Sequence, residues 1–334
     1  MKKFFTLLLA VISTMTAFAQ TEPAIELQAE VDGNTRTFTI GLGVEGTVQI
    51  DWGNGEKVTS EVIPAFDGWN QVDVSGTVSG DGKVKIYGDN IVYFECSSRV
   101  DGAQVLSLDV TKATALKDLT ANANKLTSID LTKNTELEKL YININQLTSI
   151  DISKCTKLTT LDINNNLLTA IDITKNQALQ TLRIGQNKLT GELDLSTNPT
   201  IKSVYAQTNE LTSVKIGNNT ASKPTFSFNE NKLTSFDATG IKDAGNATLF
   251  LISNQLTEIT LPSAKMRILN IFKNNFTLAT LPAPTVAKTF NYAPQNNYVI
   301  AESYKVGDVL DLSSQTSATL NTQFAVYKSD KTAL

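Results

Sequence analysis

Apolar side chains recur along the middle of this chain with a period too long for an amphipathic helix or a single alternating strand. Asparagine marks the beat. Asn124, Asn145, Asn166 and Asn187 stand 21 residues apart, and Asn209, Asn231, Asn254 and Asn274 follow at spacings of 22, 22, 23 and 20. Two residues after each comes Leu126, Leu147, Leu168, Leu189, Leu211, Leu233, Leu256 or Phe276; five residues before each comes Leu119, Leu140, Leu161, Leu182, Val204, Phe226, Leu249 or Leu269. A fixed period of this size is the mark of stacked supersecondary units. In one unit, Leu137 to Lys157, Leu140 and Ile142 alternate with polar residues, which predicts a short strand pointing both inward. Stacking such strands in parallel gives one elongated core that no unit could bury alone. The asparagine falls where the chain turns, and its amide can satisfy backbone groups of the turn and of the neighbouring coil. Ile150-Asp151-Ile152 alternates again, predicting a second short strand on the far side. A coil of this length has little room for a helix there, so the fold class is mainly β: a thin solenoid with extended or 3-10 backbone opposite the main sheet.

The core L-x-x-L-x-L-x-x-N-x-L of these units resembles the leucine-rich repeat. With the added I-D-L segment the unit is similar to the short repeat subclass of exported bacterial surface proteins. The resemblance covers roughly residues 83–281. It implies a gently curved right-handed coil with a parallel sheet on the concave face. It also implies a secreted or cell-surface protein that binds a protein or glycan ligand there, in adhesion or host interaction.

The flanks divide as follows. Residues 1–19 read as a signal peptide: basic Lys2 and Lys3, apolar Phe4 to Val11, and the small-x-small site Ala17-Phe18-Ala19. Residues 20–82 carry alternating runs and the hairpin signal Gly53-Asn54-Gly55, flanked by Asp51 and Glu56. The run Val48 to Gly55 resembles the turn region of polycystic-kidney-disease-type β-sandwiches, which implies a small N-terminal β-domain. Residues 83–115 read as an N-terminal cap and first coil, with Val84-Lys85-Ile86, Phe94-Glu95-Cys96 and Leu106 to Val110 as imperfect units. The repeats proper occupy 116–281. After Leu281 the period stops; residues 282–334 read as a C-terminal cap or linker with strands at Gly307 to Leu312 and Phe324 to Tyr327.

Composition narrows the function. The chain has no histidine, which removes His-based acid–base catalysis, His-dependent triads and His metal ligands. Losing Lys2 and Lys3 takes the net charge from −4 to −6, which gives nucleic acid no basic face to meet. No stretch after the leader approaches the ~20 apolar residues of a membrane span. No phosphate loop, nucleophile elbow, metal cluster or dinucleotide fingerprint occurs, so no cofactor and no enzymatic activity are expected. Cys96 and Cys155 fall in different coils: aligning Phe94-Glu95-Cys96 with Ile129-Asp130-Leu131 separates them by three steps, roughly 14 Å, too far for a disulfide.

The register also gives the outward positions of the concave face. One column is Thr120, Tyr141, Asp162, Arg183, Tyr205, Ser227, Phe250 and Asn270; its neighbour is Asn122, Asn143, Asn164, Gly185, Gln207, Asn229, Ile252 and Phe272. Aromatic residues and arginine dominate interface hot spots, which selects Tyr141, Asp162, Arg183, Tyr205, Phe250 and Phe272 as ligand-binding candidates. An alternative for Phe250, Ile252 and Phe272 is burial beneath the C-terminal cap. The opposite face stacks Asp109, Asp130, Asp151, Asp172, Asp194 and Asp237. Lys112, Lys133, Lys154 and Lys175 follow the first four by three residues, and an Asp–Lys ladder neutralises itself without calcium. The leading function is therefore non-catalytic macromolecular recognition by a monomer. The alternatives are an accessory module of a polysaccharide-degrading enzyme and a plain structural spacer.

Overall fold

The repeat period is realised, in the computed structural model, as a row of stacked three-residue strands. The structure describes residues 22–296 apart from 60–64, 66, 67, 69, 99–103, 278, 279 and 294. Eight strands come first: β1 (Ile25–Ala29), β2 (Thr35–Leu42), β3 (Gln49–Asp51), β4 (Lys57–Thr59), β5 (Val72–Thr77), β6 (Lys83–Tyr87), β7 (Ile91–Glu95) and β8 (Val105–Asp109). The coils then supply concave strands β9 (Asp118–Thr120), β10 (Lys139–Tyr141), β11 (Thr160–Asp162) and β12 (Thr181–Arg183). After β13 (Thr190–Asp194) on the convex side come concave β14 (Ser203–Tyr205), convex β15 (Glu210–Lys215), concave β16 (Thr225–Ser227) and convex β17 (Ser235–Asp237). The series ends with concave β18 (Thr248–Phe250), convex β19 (Glu258–Thr260), and concave β20 (Met266–Asn270) and β21 (Ala287–Asn291). From β9 to β18 each concave strand is centred on the apolar residue that the period selects, and β20 contains Leu269. Among the described residues there is no α-helix, only two 3-10 turns at Ala244–Asn246 and Pro284–Val286.

Concave pairing is parallel and in register, Leu119 beside Leu140, Leu140 beside Leu161, Leu161 beside Leu182 and onward. Each coil is tied to the next by its repeated asparagine. Asn145 Nδ2 donates to the Ile142 carbonyl of its own coil (3.1 Å) and the Ala121 carbonyl of the preceding one (2.9 Å). Its Oδ1 accepts the Leu126 N–H at 3.0 Å. The same geometry repeats from Asn124 to Asn274. The residue before each of these asparagines is left-handed, with φ between 53° and 57° from Ala123 to Lys273. That kink turns the side chain back into the coil.

The convex side differs from expectation. Ile150-Asp151-Ile152 is not a paired strand; among the described residues of the repeats, convex strands pair as β13 with β15 and β17 with β19, beside an isolated bridge between Asn219 and Ile241. Neighbouring coils are instead tied there by a second set of buried asparagines: Asn134 Nδ2 donates to the Val110 and Ala113 carbonyls of the preceding coil at 3.0 and 2.9 Å, and Asn176 Nδ2 to the Ile152 and Cys155 carbonyls at the same distances.

Strand pairing also crosses residue 82. β6 pairs with both β1 and β3, and β1 pairs with β8, so one five-stranded sheet runs β4-β3-β6-β1-β8. On the other side β5, β2 and β7 pair antiparallel, and β7 then pairs parallel with β9, so the concave sheet has twelve strands from β5 to β21. A single hydrophobic core runs from Ala24 to Ala287. The expected hairpin is present as β3–β4, with Asp51 Oδ1 accepting the N–H of Gly53 and of Gly55, both at 2.9 Å. Trp52 beside it stacks on Phe38 at 5.3 Å and lies across Gly76, where a Cβ would sit 2.2 Å from the ring.

Two register readings change. Phe94 pairs with Leu119 rather than matching Ile129, so Cys96 follows a concave strand. It remains buried, as does Cys155, and both thiols are free. Burial pushes both thiols up, Cys155 to about 11. The period also continues past Leu281: Phe290 lies beside Leu269, and Gln295 takes the ladder position, its Oε1 accepting the Asn274 N–H at 3.1 Å. Phenylalanine and glutamine in place of leucine and asparagine hide that coil from the pattern. The strands expected at Gly307 to Leu312 and Phe324 to Tyr327 lie outside the described residues.

Candidate functional site

Parallel register converts the sequence column into a row across the concave sheet. Tyr141 stands beside Asp162, Asp162 beside Arg183, and Arg183 beside Tyr205. All four are half-buried. The Arg183 guanidinium lies 3.9 Å from Asp162 Oδ2 and 5.6 Å from the Tyr205 ring centroid, over the ring. Asp162 Oδ1 accepts the Asn164 N–H at 3.2 Å. Burial pushes the Asp162 carboxyl above its ordinary value, against the pull of that N–H and of Arg183.

The other two candidates stand apart. Phe250 is on β18, separated from Tyr205 by buried Ser227, and Phe272 follows β20 in the neighbouring column. With Ile252 they form a half-buried apolar patch toward the C-terminal end. The residues expected to cover it as a cap lie largely outside the described ones. The outward asparagines are partly structural: Asn122, Asn164 and Asn229 each accept a backbone N–H of the next coil, from Asn143, Gly185 and Ile252, at 3.0, 2.6 and 2.8 Å.

Sequence reasoning missed the N-terminal quarter of this face, three of its twelve strands. Because β7, β2 and β5 extend the concave sheet, Tyr93, Glu95, Thr39 and Asp73 belong to it. The Tyr93 hydroxyl donates to Glu95 at 2.9 Å and the Thr39 hydroxyl to Asp73 at 2.6 Å. Burial, and then the Glu95 carboxylate, hold the Tyr93 phenol up. Asp118 lies 3.5 Å from Lys139, yet burial pushes its carboxyl up despite that ammonium. The signal available was the alternation of Tyr93 and Glu95 about Phe94, legible once Phe94 is matched to Leu119.

The convex aspartates have a different role from the one expected. Asp109, Asp130, Asp151, Asp172, Asp194 and Asp237 each accept the N–H two residues on, at 2.7–2.9 Å. Among the described residues no ion pair joins Asp130, Asp151 or Asp172 to the following lysine, and Lys112 reaches Glu22 instead. The backbone N–H groups, first of all, hold these three carboxyls below their usual range. The following lysines add a smaller charge effect in the same direction, and Asp194 also pairs with Lys215 at 2.8 Å. Among the described residues no three Asp, Glu or Cys side chains gather closely enough to hold a metal ion.

With the coil geometry in hand, the chain was compared with known proteins. The model for two copies of a leucine-rich repeat matches residues 135–175. Residues 135–175 are leucine-rich repeats. The functional domain of InlJ from Listeria monocytogenes, which includes a cysteine ladder, is 21% identical, with 57% of this chain matching 46% of that one at a TM-score of 0.42. A leucine-rich-repeat protein of Leptospira interrogans is 16% identical over 56% of this chain and 57% of its own, TM-score 0.43. The leucine-rich-repeat domain of APL1B is 20% identical over 57% of each chain, TM-score 0.46. The chain thus spans about half the length of each of these structures. No curated protein matches the sequence.

Proposed function

We propose that this leucine-rich-repeat solenoid is a non-catalytic recognition protein that binds another macromolecule along its concave sheet. The observation carrying this reading is the unbroken row Tyr141–Asp162–Arg183–Tyr205 on four consecutive strands. Side chains fixed on ladder-bonded strands lose little freedom on binding, so their contact area converts efficiently into affinity. Tyrosine and arginine are also the residues most enriched at interface hot spots. A protein ligand is favoured over a glycan because the Arg183 guanidinium occupies a face of Tyr205 on which a sugar ring would stack. The leader at residues 1–19 supports export, and an exported binding surface of this kind serves adhesion or host contact. The protein acts as a monomer, with residues 20–115 as the cap that closes the first coil.

Replacing Tyr141 and Tyr205 together by alanine tests the reading. Both point out of the core, so the melting temperature should stay within a few degrees. Affinity for ligands found by screening the mature chain on protein and glycan arrays should fall more than tenfold. Unchanged affinity in the double variant would place the binding surface elsewhere.

A further inference from the structure

We propose that the block of side chains around Gly185 is a carboxylate-binding subsite, and that the protein partner presents an acidic side chain to Arg183. The inference rests on the concave-face reading and names the chemistry that the face recognises. Among the described residues the Arg183 guanidinium makes no hydrogen bond; its nearest carboxylate oxygen is 3.9 Å away, and its side chain is 40% exposed. An arginine fork left in this state offers a planar pair of charged N–H donors, the arrangement that a carboxylate fills bidentately. The Tyr205 ring beneath it restrains the guanidinium plane before any ligand arrives.

Gly185, on the same coil and face, has no side chain to fill its place. A Cβ there would lie 2.7 Å from Gln207 Nε2, so the Gln207 amide occupies the vacant space beside Arg183. That amide donates to no protein group among the described residues, and its oxygen is buried without a partner. Asn164, on the other side of Gly185, uses its Oδ1 on the Gly185 N–H and leaves its Nδ2 unpaired among the described residues. Strand register thus sets Asn164 and Gln207 on either side of Gly185, two residues along the strand from Arg183, so that three donor-bearing side chains neighbour the same glycine. The single anion beside them, Asp162, already spends an oxygen on the Asn164 N–H. Toward the C-terminus the two outward columns carry Tyr205, Gln207, Ser227, Asn229, Phe250, Ile252, Asn270 and Phe272, none of them a carboxylate. The charge of Arg183 is thus uncompensated on that side, where the apolar patch can take the rest of the partner segment.

The test is to pan a phage-displayed library of random dodecapeptides on the chain and to measure the enriched peptides as synthetic ligands. The expected result is peptides containing Asp or Glu whose affinity falls at least tenfold when that residue is amidated, and falls equally with Arg183→Gln. Arg183→Lys keeps the charge but loses the fork, and should recover only part of the affinity. Circular dichroism and melting curves confirm that each variant folds. Enriched peptides without acids, or binding indifferent to Arg183→Gln, would overturn the inference. If Arg183→Gln is silent while Tyr141→Ala with Tyr205→Ala abolishes binding, the subsite falls and the concave-face reading stands; if both are silent, both fall. Failure to enrich any peptide, with uronic-acid oligosaccharides bound instead, would overturn the acidic-segment assignment in favour of a glycan.

Discussion

Replacing Asn166 by alanine removes one rung of the ladder that holds the coils together, and the structure sets the size of the loss. Asn166 Oδ1 accepts the Leu147 N–H at 3.0 Å, and its Nδ2 donates to the Ile142 and Ile163 carbonyls at 3.1 Å each. Without it, each carbonyl keeps one donor: Asn145 Nδ2 at 3.1 Å on Ile142, and Asn187 Nδ2 at 3.0 Å on Ile163. Leu147 is fully buried, and its N–H keeps no acceptor among the described residues. A stranded buried donor costs about 1–3 kcal/mol and each hydrogen bond lost from a still-served carbonyl roughly 0.5–1, giving about 2–5 kcal/mol. In a chain of this size that lowers the melting temperature by roughly 3–10 °C. Urea denaturation followed by far-UV circular dichroism reads it directly, provided the m-value is unchanged, since a lower m would report loss of cooperativity between coils. A loss under about 0.5 kcal/mol at constant m would refute the view that the ladder contributes through its hydrogen bonds.

Two further perturbations probe features the repeat tolerates at a cost. Ile144 holds φ 55° and is 51% exposed; a β-branched residue in the left-handed region costs about 1–2 kcal/mol, so Ile144→Asn should raise the melting temperature by roughly 2–4 °C, and a fall would mean that its exposed side chain makes a stabilising contact. Asp118 titrates above its ordinary 3.8 because burial outweighs Lys139, so the native state binds that proton more tightly than the unfolded chain does. Its ionisation therefore lowers stability as pH rises from 3.8 through the native value; Asp118→Asn should be the more stable protein at neutral pH, with the advantage gone by about pH 3, and a pH-independent difference would contradict the sign.

The central coils were legible because each level repeats the same instruction: alternation places Leu140 and Ile142 inward, Asn145 closes the turn, and the next coil copies both. The row Tyr141–Asp162–Arg183–Tyr205 was legible for the same reason, since parallel in-register stacking turns sequence spacing into spatial adjacency. Where the instruction is carried by other residues, the reading stopped. The Phe94 coil lacks the regular asparagine, which misplaced Cys96 and hid Tyr93 and Glu95 from the concave face. Gln295 and Phe290 perform the ladder and core roles with unexpected side chains. The convex aspartates were misread because charge is visible in a sequence while an N–H two residues away is not; at 2.7–2.9 Å those N–H groups act beside the lysines, and Asp194 also pairs with Lys215 at 2.8 Å.

The antiparallel cap bears on function as well as on closure. A solenoid must cover its first open coil, and a loop or a separate domain would do so without lengthening the sheet. Here β7, β2 and β5 continue the concave sheet itself, while β1, β6 and β3 continue the opposite side. The face available to a partner is therefore longer than the repeats, and its character changes along its length. Hydroxyl and carboxylate pairs such as Thr39–Asp73 and Tyr93–Glu95 occupy the N-terminal end. The Tyr–Asp–Arg–Tyr row lies in the middle, and Phe250, Ile252 and Phe272 lie beyond it. A partner matched to that gradient, polar then charged then apolar, can bind in only one direction along the sheet, because reversing it would set apolar groups against the paired acids and leave their desolvation uncompensated.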